Sequence, residues 1–118
     1  MPVELPTNPA LAVGPAKVEA AIRRLIEVAH PKKIIIFGSY ARGTYRPDSD
    51  LDILVVTGDE ETPPHNQRAR LRRALDDILM AMDIVVVPES VFRELRDKPG
   101  LIYREACEHG KLVYDSTN

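Results

Sequence analysis

One cysteine, Cys107, stands alone in the sequence, and no apolar run exceeds a handful of residues. A lone cysteine excludes an internal disulfide framework and a CxxC metal clip, and it fits a reducing cytoplasm. Runs such as Ile34 to Phe37 and Ile84 to Val87 fall far short of the roughly 20 apolar residues that span a bilayer, so no membrane partner is expected. The opening Met1-Pro2-Val3-Glu4-Leu5-Pro6 has neither the basic region nor the apolar core of a signal peptide, and a cytoplasmic location is the expectation. Charge of one sign is scarce too. Sixteen Lys and Arg against 18 Asp and Glu leave a net −2, which argues against general, charge-driven binding to nucleic acid. The three histidines, His30, His65 and His109, are scattered and read as surface residues rather than ligands.

What is present suits a globular domain: 44% hydrophobic and 29% charged residues in a chain of 118. That length holds one domain with one modest core. Residues 1–14 carry three of the ten prolines and no helical periodicity, and read as a loose arm ahead of a single domain over 15–118. Pro15 suits a first helical turn, and Val18, Ile22, Leu25, Ile26 and Ala29 follow at helical spacing until His30-Pro31 closes the helix. Lys33 to Phe37 is a buried strand by its β-branched run. Gly38-Ser39 breaks it, Tyr40 to Gly43 fits one helical turn, and Thr44 to Ser49 is a polar loop.

Leu51 to Val56 predicts a second strand. From about Asn66, the stripe Leu71, Leu75, Ile78, Leu79, Met82 predicts a helix, and Asp83 to Pro88 a third strand. Ser90 is placed as the N-cap of a helix over Val91 to Arg96. Leu101 to His109 is a last helix with Gly110 as its C-cap, and Lys111 to Tyr114 a terminal strand. The order α-β-(turn)-β-α-β-α-α-β is that of an α/β domain, a small mixed sheet flanked by helices. The direction of the second strand relative to the first is left open.

The segment with chemical content runs Phe37-Gly38-Ser39-Tyr40-Ala41-Arg42-Gly43, then a loop, then Asp48-Ser49-Asp50-Leu51-Asp52-Ile53. Asp50 and Asp52, two apart at the head of a strand, share one face. Anions this close raise each other's pKa unless a cation intervenes, and Mg²⁺ is usually held by one or two carboxylates plus substrate phosphates. Gly38-Ser39, directly after a strand, lets backbone N–H groups and a hydroxyl approach a phosphate. Asp83 heads another apolar strand. If that strand neighbours the second, its carboxylate reaches the same metals.

Gly-Ser alone is a common turn, and Asp-x-Asp alone commonly caps a strand. At roughly 6% per fixed residue, the two together at this spacing arise by chance in roughly one such chain per thousand. Arg42, three residues after Ser39, faces either the phosphates or solvent. Tyr40 and Tyr45 are assigned to packing over base stacking, and Arg68, Arg70, Arg72 and Arg73 to a solvated helix face. Cys107 is assigned to a buried apolar position.

The Gly38-to-Asp52 segment resembles the Gly-Ser, spacer, Asp-x-Asp signature of the DNA polymerase β-like nucleotidyltransferase superfamily. The short chain, Ala41-Arg42-Gly43, and Tyr103-Arg104-Glu105-Ala106 with Gly110-Lys111 and Tyr114 resemble its minimal nucleotidyltransferases, over about residues 17 to 115. The resemblance implies a palm-like nucleotidyltransferase fold. It implies Gly38 and Ser39 on the ATP phosphates, with Arg42 placed beside them as a candidate by its position on the same turn, and Asp50, Asp52 and Asp83 as catalytic carboxylates holding Mg²⁺. It also implies an antitoxin that transfers AMP from ATP to a tyrosine hydroxyl of a HEPN-type toxin. The rival expectation is an antitoxin that binds nucleotide and neutralises its partner by binding alone. Transfer to RNA ends is disfavoured by the acidic charge and by the lack of an acceptor domain.

Overall fold

The computed structural model describes residues 12–59 and 64–117. Its elements are α1 (Pro15–Ala29), β1 (Lys33–Phe37), α2 (Gly38–Arg42), β2 (Leu51–Thr57), α3 (Pro64–Ala74), β3 (Met82–Pro88), α4 (Glu89–Leu95), α5 (Ile102–His109) and β4 (Lys111–Asp115). The strands form one mixed sheet in the order β3-β2-β1-β4. β1 is antiparallel to both β2 and β4, which settles the direction that the sequence left open, while β2 and β3 are parallel. A parallel pair needs a long crossover, and α3 supplies it.

Side chains alternate across the sheet into two cores. Leu25, Ile34, Ile36, Leu51, Ile53, Leu71, Leu75 and Ile84 pack on the α1/α3 side. Ile35, Phe37, Leu54, Val56, Val87, Phe92 and Ala106 pack on the α4/α5 side. Burial on both faces is why β1 and β2 read as continuous apolar runs rather than as an alternation.

Several boundaries differ from expectation. α3 stops at Ala74, because the chain must turn back to start β3. Leu75 N–H donates to the carbonyls of Leu71 and Arg72, Asp76 to Arg73 and Ile78 to Leu75, which are tightening turns. Arg24 fixes this end by donating to the Ala74 carbonyl at 2.7 Å and to both Asp77 carboxylate oxygens at 2.7 and 3.0 Å. Leu79, expected on the apolar stripe, is therefore exposed, and Met82 opens β3. Ser90 is not an N-cap. α4 begins at Glu89, and the Ser90 N–H donates to Asp59 Oδ1 at 2.9 Å, so the cap comes from the loop after β2. Cys107 is exposed, not buried, because Ala106 takes the core position beside it. Gly110 does cap α5, but with φ −83. Its role is contact, since a Cβ there would crowd Ala106 O, Ile35 Cγ2 and Ile36 O.

The expected arm at 1–14 lies mostly outside the described residues; at its end Val13 is buried and donates to the Pro47 carbonyl at 3.2 Å. No helix among the described residues is long and apolar enough to cross a membrane. β4 is tied down at its end by Asp115. Its carboxylate accepts from the Thr117 hydroxyl at 2.7 Å, the Thr117 N–H at 3.0 Å and Lys33 Nζ at 3.1 Å. The Thr117 side chain, the Thr117 backbone and Lys33, in that order, lower its pKa from 3.8 to about 2. A folded pKa below the unfolded one gives stability that is complete above 3.8 and fades as pH falls toward 2. Asp115→Asn is expected to lower the melting temperature at pH 6 and to make a much smaller difference near pH 2, checked by thermal unfolding at both.

Candidate active site

Register brings the acidic residues together. Phe37, the last residue of β1, is paired with Asp52 in β2, and Asp52 is paired with Asp83 in β3. The end of β1 and the starts of β2 and β3 therefore share one edge of the sheet. Leu51, Ile53 and Ile84 point to the α1/α3 core, so Asp52 and Asp83 project on the opposite face, the side of α4 and α5. The condition set by the sequence, that the third strand neighbour the second, is met. Asp50 lies exposed just before β2.

Asp52 is half-buried, and its carboxyl titrates above the usual 3.8. Burial is the largest cause, followed by the charges of Asp83, Asp50 and Glu105, with Arg42 pulling the other way. Three carboxylates and one guanidinium thus act on a single carboxyl group. Sequence reasoning placed Asp50, Asp83 and Arg42 here but gave Glu105 no role. It comes from α5, some fifty residues downstream of the Asp-x-Asp pair, and only packing brings it close.

Gly38 opens α2 with φ +73, a left-handed conformation that favours glycine. A Cβ at this position would overlap Asp52 Oδ2 and stand 3.0 Å from its Cγ. The turn and the central carboxylate are therefore in direct backbone-to-side-chain contact. Gly43, φ +77, closes the turn, with its N–H donating to Tyr40 O at 3.2 Å and Thr44 N–H to Ser39 O at 3.0 Å. Ser39 itself is half-buried at the start of this turn.

Two arginines flank the acidic edge. Arg42 Nη1 donates to Glu105 Oε1 at 2.9 Å, and Arg68 Nη2 reaches Asp83 Oδ1 at 3.4 Å. Both pairs are well exposed, which makes them weak and easily exchanged. The rest of the arginine cluster lies on an exposed helix face, as expected, and two of its members also bond to neighbouring backbone. Arg70 donates to the Val28 carbonyl at 2.8 Å and Arg72 to the Met82 carbonyl at 2.9 Å, tying α3 to α1 and to the start of β3. Tyr40 and Tyr45 pack on each other with ring centroids 4.7 Å apart, as packing residues should. Arg46 and Asp48 lie exposed in the loop between.

Among the described residues, no three His, Cys, Asp or Glu side chains gather closely enough to hold a metal unaided. The donor set around Asp52 is all oxygen and acidic, and fits a hard cation whose shell is completed by substrate oxygens.

The nucleotidyltransferase-domain family model matches residues 16–113. The chain belongs to this family. Two curated relatives from Methanocaldococcus jannaschii, each named a putative protein adenylyltransferase, are 72% identical over 25 residues and 32% identical over 56 residues. These matches cover 21% and 48% of this chain and 25% and 54% of the relatives, so the chain spans about half their length or less. A structure of a putative minimal nucleotidyltransferase is 30% identical, with TM-score 0.56 over 81% of this chain and 88% of its own. A chain in a toxin–antitoxin crystal structure with AMP-PNP is 28% identical, with TM-score 0.59 over 83% of this chain and 73% of its own. The small mixed sheet flanked by helices is therefore that of a nucleotidyltransferase domain, the fold that the sequence resemblance implied.

Proposed function

We propose that the chain transfers AMP from ATP to a hydroxyl of a partner protein, a tyrosine of a HEPN-type toxin, and acts as its antitoxin in the cytoplasm. The observation that carries this reading is the pairing of Asp52 with Asp83 and the close approach of the Asp52 carboxylate to the Gly38 turn. The names of the relatives support the class of reaction, and the toxin–antitoxin structure with AMP-PNP supports the setting.

Asp50, Asp52 and Asp83 would hold Mg²⁺, which when bound neutralises triphosphate charge and lowers the pKa of a coordinated hydroxyl. The Gly38-Ser39 turn offers backbone N–H groups and a hydroxyl to the phosphates, and Arg42 adds a guanidinium on the same turn. The acceptor oxygen forms a bond to the α-phosphorus as the bond to pyrophosphate breaks, and Asp83 is assigned to orient the hydroxyl and accept its proton. The work of the site is positioning and charge neutralisation.

Asp83→Ala separates transfer from masking. It is expected to lower labelled AMP transfer to the toxin by about a hundredfold or more. Affinity for MgATP should stay within a few-fold, because Gly38, Ser39, Asp50 and Asp52 remain, and the melting temperature should hold. Full toxin inhibition without ATP, unchanged by Asp83→Ala, would replace this reading with neutralisation by binding alone.

A further inference from the structure

The Arg42–Glu105 pair joins two parts of the molecule that the proposed chemistry treats separately. Arg42 ends α2, the turn that begins with Gly38-Ser39, and Glu105 sits in the first turn of α5. Each is held in place by its neighbours. Ala41 is buried in the α1/α3 core and Ala106 in the α4/α5 core, so the two backbones are fixed while the two side chains meet at the surface over the Asp52 edge. Gly110 adds to this, because its close approach to Ile36 O locks the end of α5 against β1.

Glu105 is a fourth negative charge at an edge already occupied by Asp50, Asp52 and Asp83. It raises the pKa of Asp52, whereas Arg42 lowers it. A guanidinium has five donors in a rigid fork, and carboxylate and phosphate compete for the same geometry. A triphosphate arriving at Gly38-Ser39 therefore meets an arginine already engaged. The exposed pair is weak enough to give way to a multiply charged anion, yet its release still subtracts from binding.

We propose that Glu105 is a positioning residue that holds Arg42 as a latch over the Gly38-Ser39 turn and surrenders it to the triphosphate. The inference rests on the nucleotide-transfer reading above and adds a regulatory element to that site. In the free protein the latch keeps Arg42 engaged with Glu105 and ties α2 to α5. On binding, Arg42 exchanges Glu105 for phosphate, and Glu105 is left to solvent on its half-exposed side.

Calorimetric titration of the full chain with MgATP tests it. Glu105→Gln, which keeps the side-chain shape but removes the charge, is expected to tighten MgATP binding about two- to fivefold, the range an exposed ion pair is worth. Arg42→Gln is expected to weaken binding about tenfold. The decisive measurement is the double variant, in which adding Glu105→Gln to Arg42→Gln should change affinity by less than about 1.5-fold. A gain that persists in full without Arg42 would mean simple charge repulsion and would overturn the latch. Weaker binding in Glu105→Gln would also overturn it, since Glu105 would then be aiding Arg42 rather than competing for it. A wild-type chain that binds no MgATP would overturn the nucleotide reading itself, whereas wild-type binding with Glu105→Gln unchanged would overturn only the latch. Thermal unfolding of each variant confirms that the compared chains are folded.

Discussion

Asp52→Asn is expected to reduce AMP transfer by at least about a thousandfold while leaving the metal-free chain folded and no less stable. The first half follows from position. Asp52 is the carboxylate that touches the Gly38 turn, pairs with Asp83 and feels Asp50, so an amide there removes the centre of the proposed metal set. The second half follows from the sign of its titration. Its folded pKa lies above the unfolded 3.8, so the folded state binds the proton more tightly, and stability falls as pH rises from 3.8 through the folded value. Asparagine carries no such penalty. With EDTA present, the melting temperature of Asp52→Asn relative to wild type should therefore rise between pH 3.5 and pH 7. Wild-type transfer by a folded Asp52→Asn would remove Asp52 from the chemistry.

Gly38→Ala should be nearly as damaging by a different route. The methyl group would overlap Asp52 Oδ2, and an alanine at φ +73 carries backbone strain of about 1–3 kcal/mol. Either the turn or the carboxylate must move, so MgATP affinity is expected to fall at least about tenfold and transfer with it. Gly43→Ala is the matched control. Gly43 has φ +77 and nothing within 4 Å of its Cβ position, so the substitution brings the strain without the collision. It should lower the melting temperature by no more than Gly38→Ala does and leave MgATP affinity within about threefold. Equal losses of affinity in both variants would show that backbone strain, not contact with Asp52, governs nucleotide binding.

The sequence was most legible where local rules and tertiary packing agree. His30-Pro31 ends α1 because the residue before proline resists the right-handed helix, and His30 indeed takes a left-handed φ of 45. β1 spans the expected Lys33–Phe37, since a β-branched run between two turn signals leaves little choice. Where packing overrides periodicity, the sequence misleads. The stripe from Leu71 to Met82 has helical spacing throughout, but Arg24 takes the Ala74 carbonyl and the chain must enter β3, so the helix stops early. Ser90 has the chemistry of a cap, yet Asp59 reaches its N–H from another loop. The site divides the same way. Gly38, Asp50 and Asp52 are local in sequence and were legible together. Asp83 required strand adjacency, and Glu105 and Arg68 required knowledge of which helix covers which face.

The parallel pairing of β2 and β3 has a further consequence. Seven successive pairs, from Leu51 with Met82 to Thr57 with Pro88, align the two strands. Because side chains alternate faces, sliding β3 by one residue would set Ile84 beside Asp52 and carry Asp83 through to the apolar α1/α3 side. Among the described residues β3 is an edge strand, paired with β2 alone in the sheet, so its register rests on that ladder and on the α3 arginines that reach Met82 and Asp83. The same slip would bury a charge and dismantle the acidic edge at once. A misaligned chain is thus both poorly folded and chemically silent, and accuracy of folding and competence of the site are checked by a single event.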